Sequence, residues 1–296
     1  LGMVPTMLYN MGSGILRAMG DSKRPLYYLF VCVVANIALD LLFVIVFQWG
    51  IEGAAAATAL SQVVCAALVV RALRRLPEEQ RLLYDREELD RGILRRMLHV
   101  GIPAALQSSM YGIANIVLQV GINMLGTDSM AGWTAFNKFD DYYWPISNAI
   151  GIAVMTYVGQ NFGAKNAERI KLGVRQIFLL VGGLSIFAGV LTLIFSELLV
   201  SLYVKPNETE VIAYSLEFIR IQAWFFPFLG WIWLYNSTVK GMGKINISMV
   251  SSVVELCSKI GLSLLLPIWI GTTGIWFAAP IGYILGIIPL LIYYYS

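Results

Sequence analysis

Charge is what this sequence has least of. Asp, Glu, Lys and Arg make up 13% of its 296 residues, about half the share found in a soluble globular domain. Hydrophobic residues make up 58%. So little polar surface excludes an ordinary water-soluble fold of this length and fits a chain whose solvent is lipid. Histidine is nearly absent, His99 being the only one, which excludes His-rich metal sites and His-based triads. The three cysteines, Cys32, Cys65 and Cys257, sit inside apolar runs. Their spacing matches neither a disulfide framework nor a metal site, and they read as small buried hydrophobes. The chain opens on Leu1 with no basic n-region and no cleavage site, so nothing reads as a signal peptide. The start is expected to be an internal point of a longer chain. Aromatics are plentiful, with 8 Trp, 15 Tyr and 14 Phe, and suit interfacial belts and cavity walls alike.

Apolar runs near the length a helix needs to cross the hydrocarbon core, roughly 20 residues, recur at 1–19, 25–47, 53–70, 101–125, 131–158, 177–195, 211–239, 247–270 and 273–295. The run at 1–19 reads as the tail of a span. Interior prolines at Pro145, Pro227, Pro267 and Pro280 are compatible with membrane helices, where neighbours re-satisfy the freed carbonyls. The connections test this assignment. Seventeen of the 21 Lys and Arg fall in one alternate set: Arg17, Lys23 and Arg24; eight arginines from Arg71 to Arg96; Lys165, Arg169, Lys171 and Arg175; Lys240 and Lys244. The other set holds Lys205 alone. Basic connections stay on the cytoplasmic side, so the alternation predicts span count and orientation together, in a cell (inner) membrane. The long polar stretch at 74–96 carries both signs in near balance and reads as a cytoplasmic linker between a partial N-terminal lobe, 1–73, and a C-terminal lobe, 97–296.

The sequence also resembles itself. Tyr9-Asn10 leads to Arg17-Ala-Met-Gly20, a span, Gly50-Ile-Glu-Gly53 and another span. Tyr235-Asn236 leads to Lys240-Gly-Met-Gly243, a span, Gly271-Thr-Thr-Gly274 and another span. Both copies run in the same direction at the same point, so the repeats are parallel, related by an axis along the membrane normal. Three further spans precede the second copy. A shared unit length therefore predicts three spans, roughly 130 residues, ahead of the first.

Three stretches resemble the multidrug and toxic compound extrusion (MATE) family: Gly14-Ile-Leu-Arg-Ala-Met-Gly-Asp-Ser-Lys-Arg-Pro25, Gly50-Ile-Glu-Gly-Ala-Ala-Ala-Ala-Thr58 and Tyr157-Val-Gly-Gln-Asn-Phe-Gly-Ala-Lys-Asn-Ala-Glu-Arg169. The similarity runs along essentially the whole chain, from the end of family span four to span twelve. It implies an all-α polytopic membrane protein of two six-helix lobes related by the parallel repeat, the first lobe incomplete here. It also implies alternating-access export of organic cations or drugs in exchange for H⁺ or Na⁺, and no enzyme activity. No cofactor beyond the coupling ion is expected. The expected partners are small organic cations and membrane lipid, with no nucleic acid, and the protein is expected to be a monomer.

An ionisable group at the centre of a membrane helix costs about 2.5–3.5 kcal/mol on insertion scales, so each is a functional candidate. Asn36 and Asp40 stand one turn apart on one face of the span at 25–47. A carboxylate beside a carboxamide can hold Na⁺ through oxygens or bind a proton, and family members resembling this one use an Asn and an Asp at this spacing on span five. The bland alternative is a structural hydrogen bond to a neighbouring helix. Glu255 and Lys259 form a second pair at the same spacing, either a self-neutralising structural ion pair or a coupling switch. Lys138, Asp140 and Asp141 could line an aqueous cavity, though Asp140 and Asp141 diverge by about 100° around the helix. Another subfamily carries its ion ligands as acids on spans seven and ten. The corresponding region here, Gln107-Ser108-Ser109, has no acid, and Glu217 lies beside Arg220, which leaves Asp40 as the better candidate. Tyr143, Trp144, Trp224 and Phe225 are candidates for a wall against flat cationic cargo. Alternative functions are a lipid-linked saccharide flippase of the same superfamily, which would want a cationic cavity, and a membrane prenyltransferase, which would want a second acidic motif.

Overall fold

The computed structural model describes residues 2–78, 81, 90–123, 127–201 and 208–296. At 114, 117–118, 121, 127–129, 131–144 and 272 only the backbone is described. The described residues are helical, without strands, as backbone must be where no water can satisfy it. The helices are α1 (Met3–Ala18), α2 (Lys23–Asp40), a π-helical segment (Leu41–Val46), α3 (Gly50–Arg74), α4 (Arg91–Asn123), α5 (Thr127–Gly163), α6 (Ala167–Ile194), α7 (Ser196–Ser201), α8 (Thr209–Gly241), α9 (Ile245–Ile270) and α10 (Thr272–Tyr295). Among the described residues, 5 helices are long and apolar enough to cross a membrane: Lys23–Val46, Gly50–Arg74, Ala167–Ile194, Ile245–Ile270 and Thr273–Tyr295. The apolar runs read at 131–158 and 211–239 fall within α5 and α8, and the described part of the run at 101–125 falls within α4.

The chain divides into two units, Leu1–Asp90 and Arg91–Ser296. The division falls inside the stretch read as a linker, and α4 begins at Arg91, so the last residues of that stretch are helical. In the first unit α1 and α2 both pack on α3. Leu16 of α1 is fully buried against Val69, Ala72 and Leu73 of α3. The two helices approach so closely that a Cβ on Gly12 would collide with Val69 Cγ1. Small residues at such crossings are how membrane helices gain packing contact where lipid offers no hydrophobic drive.

In the second unit α8 is the central helix, flanked by α5, α6 and α10, while α9 lies on α10 and α4 lies on α9. Its main core joins Val154 and Val158 of α5, Ile170 and Val174 of α6, Leu229, Leu234 and Val239 of α8, and Ile287 and Leu290 of α10.

The sequence repeat is reproduced hydrogen bond by hydrogen bond. At the end of α1, Met19 donates to Ile15, Gly20 to Arg17 and Asp21 to Leu16. At the end of α8, Met242 donates to Thr238, Gly243 to Lys240 and Lys244 to Val239. Both glycines have positive φ, +90° and +73°, which is why the turn takes glycine at this point. The turn after α5 has the same pattern, with Ala164 donating to Gln160, Lys165 to Phe162 and Asn166 to Asn161. There Lys165 fills the left-handed position at φ 56°. Asp21 then starts α2 by accepting from the backbone of Lys23 and Arg24, and Asn166 starts α6 by accepting from Arg169.

Candidate functional site

Among the described residues, two clusters of polar side chains lie inside helices that are otherwise apolar, one in each unit. In the first unit, Asn36 and Asp40 share a face of α2, and both are half-buried. Asp40 is the last residue of α2, and the π-helical segment begins at Leu41. There Phe47 donates to Leu42, five residues back, the wider hydrogen-bond step of a π turn, a feature frequent at functional sites. Beyond it, Phe43, Phe47 and Trp49 form a triangle of rings with centroids 5.1–5.9 Å apart. Asn36 Nδ2 and Asp40 Oδ1 are shielded from solvent, and neither has a hydrogen-bond partner among the described residues. Leaving such groups unpaired costs about 1–3 kcal/mol each, more for a charge. A carboxamide presents either its oxygen or its NH₂ after a flip. The pair can therefore offer oxygens to a small cation, or hold a proton on Asp40.

Across the α2–α3 crossing nearby, a thiol on each helix donates to a backbone carbonyl of the other. Cys32 donates to the Ser61 carbonyl at 3.0 Å, and Cys65 donates to the Tyr28 carbonyl at 3.4 Å. Both are free and buried. The expectation of small buried hydrophobes holds for Cys32 and Cys65 and fails for Cys257, which is exposed.

The second cluster is built on α9, where Ser248, Ser251, Ser252, Glu255 and Lys259 recur at helical spacing. Glu255 is 3% exposed. Its Oε1 lies 2.7 Å from Lys259 Nζ, and its Oε2 accepts from the Tyr111 hydroxyl of α4 at 2.7 Å. The Tyr111 oxygen is 3.2 Å from Ser252 Oγ. Gln107, one turn before Tyr111, donates from Nε2 to Ser252 Oγ and Ser248 Oγ, and Ser248 donates to Asn236 Oδ1 of α8. Lys259 Nζ sits 4.4 Å from the centroid of the Tyr283 ring of α10. Two glycines of α10 make room for the ion pair. A Cβ on Gly282 would fall 2.7 Å from Lys259 Cγ, and one on Gly286 would fall 2.9 Å from Glu255 Cβ.

Of the side chains singled out in the sequence, the structure thus pairs Glu255 with Lys259 and places Asn36 and Asp40 on one face. Lys138, Asp140, Asp141, Tyr143 and Trp144 lie on α5, with side chains outside the described residues. Trp224 is 72% exposed. Its neighbour Phe225 instead packs against Phe228 and meets Phe277 edge-on. Glu217 accepts from Thr273, while Arg220 lies 3.8 Å from Glu197. Sequence reasoning missed Gln107, Tyr111, Ser248, Ser252, Asn236 and Tyr283. The available signal was the polar stripe from Ser248 to Lys259 inside an apolar run, and Gln107 and Tyr111 one turn apart. Among the described residues no group of three or more His, Cys, Asp and Glu could hold a metal ion.

Long apolar helices in two units, with paired polar groups inside them, define a multi-pass helical membrane protein. The family model described as MatE matches residues 103–265, and the chain belongs to that family. It is 27% identical to the probable multidrug resistance protein YpnP of Bacillus subtilis, a match covering 99% of this chain and 65% of the relative. It is also 27% identical to the probable multidrug resistance protein YoeA of the same organism, over 97% of this chain and 64% of the relative. The chain thus spans slightly less than two thirds of the length of these relatives. Among solved structures, the fold matches a mutant of the Vibrio cholerae MATE transporter VcmN with a TM-score of 0.89 and 23% identity, covering 98% of this chain and 66% of that one.

Proposed function

We propose that the full-length protein is a secondary active exporter of small organic cations, driven by counter-flow of H⁺ or Na⁺ through alternating access. The observation that carries this reading is the Asn36–Asp40 pair, two shielded polar groups without a hydrogen-bond partner among the described residues, on a helix that is otherwise apolar. A carboxyl and a carboxamide held this way gain more from an incoming cation or proton than groups already satisfied by neighbours. Membership of the MatE family and relatives named as multidrug resistance proteins support the cargo class. On this reading Asp40 binds the coupling ion, binding biases the first unit toward one arrangement, and release on the other side resets it. Exchange requires that ion and cargo affect each other's binding. The basic turns at Arg17–Arg24, Lys165–Arg175 and Lys240–Lys244 would face the cytoplasm, in a cell membrane, and the protein would work as a monomer.

The test is export of a fluorescent organic cation by everted vesicles carrying the full-length protein, with ΔpH and ΔNa⁺ imposed separately. One gradient is expected to drive accumulation, and Asp40→Asn to abolish it with the protein still in the membrane. Undiminished export by Asp40→Asn would remove Asp40 from the ion site. Failure of both gradients would remove antiport.

A further inference from the structure

The Glu255–Lys259 pair plays no part in the ion-site reading, and its two members are not equally accessible. Glu255 is enclosed, with 4% of its side chain exposed against 21% for Lys259. Glu255 has a second donor, the Tyr111 hydroxyl at 2.7 Å. The Lys259 stem runs through the gap left by Gly282, and its ammonium lies against the Tyr283 ring. A cation approaching this cluster would have to displace a tethered ammonium from a covered carboxylate. An anion needs only to reach the ammonium.

We propose that Lys259, backed by the Tyr283 ring, is a binding point for a carboxylate on the cargo, and that Glu255 takes up one proton as that carboxylate binds. The charge balance of a low-dielectric site requires the second half of this statement. The resting cluster holds one carboxylate and one ammonium and is neutral. A second carboxylate would leave a net buried negative charge, which is costly. A proton delivered from water to Glu255 restores neutrality. Lys259 then pairs with the cargo, and Glu255 as a neutral acid keeps Tyr111 as a hydrogen-bond partner. Among the described residues, the ionisable groups of the cluster are Lys259 on the same helix as Glu255, Tyr111 from α4 and, against Lys259, Tyr283 from α10. The groups that α8 brings to the cluster, Ile232 beside Gly286 and Asn236 beside Ser248, do not ionise. The site would favour cargo with an aromatic acid, because the ammonium and the phenol ring lie side by side. It goes beyond cation export and does not rest on it.

The experiment is calorimetric titration of salicylate into the full-length protein in nanodiscs, at one pH in two buffers of different ionisation enthalpy. Wild type is expected to bind saturably, with uptake of about one proton per anion read from the buffer dependence. Lys259→Met is expected to weaken binding by roughly ten-fold or more, the worth of a charge-assisted contact, while Lys259→Arg retains it. Glu255→Gln should bind with no buffer dependence. Gly282→Ala, which pushes on the Lys259 stem without changing any charge, should also weaken binding and covers the case in which Lys259→Met does not fold. The vesicle assay with Asp40→Asn reads the ion site and this titration reads Lys259, so the failure of one reading is told apart from the failure of the other. Absence of saturable binding, equal binding by Lys259→Met, or binding by wild type without proton uptake would each overturn the proposal.

Discussion

Glu255 stands in the second unit where Cys32 stands in the first. Each follows the turn glycine of its repeat by the same interval, Gly20 to Cys32 and Gly243 to Glu255. The facing helices correspond as well: counted from Gly50 and Gly271, Ser61 matches Gly282 and Cys65 matches Gly286. One crossing point is therefore filled in two ways. In the first unit a thiol from each helix donates to a backbone carbonyl of the other. In the second, a buried ion pair takes the space that two glycines vacate. The two halves keep a common backbone plan and have placed their polar groups one turn apart, at Asn36 and Asp40 in one and at Glu255 and Lys259 in the other.

The thiol pair gives the first prediction. In a Cys257→Ala background, which removes the exposed thiol, Hg(II), a soft ion suited to two thiolates, is expected to protect both Cys32 and Cys65 from alkylation after denaturation, at about one equivalent per protein. Cys32→Ala should return Cys65 to full alkylation, and the reverse. Mass spectrometry of the alkylated peptides reads the outcome, and independent protection of the two thiols would show that they do not share an ion.

The close approach of α1 and α3 gives the second. Gly12→Ala should lower the midpoint of thermal unfolding, at a cost of about 1–3 kcal/mol for overpacking, because its Cβ would meet Val69 Cγ1. Val69→Ala in the same protein should recover most of the loss. Without recovery, the crossing is not where the strain lies.

The buried ion pair gives the third. Glu255→Gln or Lys259→Met alone should destabilise the second unit by about 3–5 kcal/mol, since each strands a buried charge. The double variant should lie closer to wild type than either single. Unfolding midpoints of the purified full-length protein decide this, and additive losses would contradict it.

The three matching turns give the fourth. Gly243→Ala should cost about 1 kcal/mol, through its positive φ rather than through space, as no atom lies within 4 Å of the added Cβ. Lys165→Gly, at the corresponding position of the turn after α5, should be stabilising by a similar amount. Opposite signs in the two thermal shifts are the expected result.

Much of this architecture was legible in the sequence because it follows from simple physics. Apolar runs must become helices in lipid, and Arg17, Lys165 and Lys240 fall at turns because basic connections stay on one side. The repeat was legible because Gly20 and Gly243 occupy left-handed positions that favour glycine. The π turn after Asp40 was not legible. Leu41 to Val46 are uniformly apolar, and nothing in their composition separates a five-residue hydrogen-bond step from a four-residue one. Tyr111 and Gln107 were passed over for a different reason. Their value depends on α4 lying against α9, a contact between residues far apart in the chain that no local pattern encodes. The Glu255–Lys259 pair was visible by spacing, but its enclosure depends on Gly282 and Gly286 of a different helix.

The π turn at 41–46 has a consequence for how such a protein can change over generations. It is in effect a single inserted residue that the helix has absorbed without breaking. Deleting one residue there would restore the ordinary four-residue step and leave the flanking turns in nearly the same angular relation, because the wider turn spends one more residue on about the same rotation. Asp40 would keep its neighbours on α2, while the backbone carbonyls that the wider turn loosens beside it would return to the regular ladder. One small deletion can thus change the backbone next to a membrane-buried carboxylate without re-aiming the side chain or altering any residue of the site chemically.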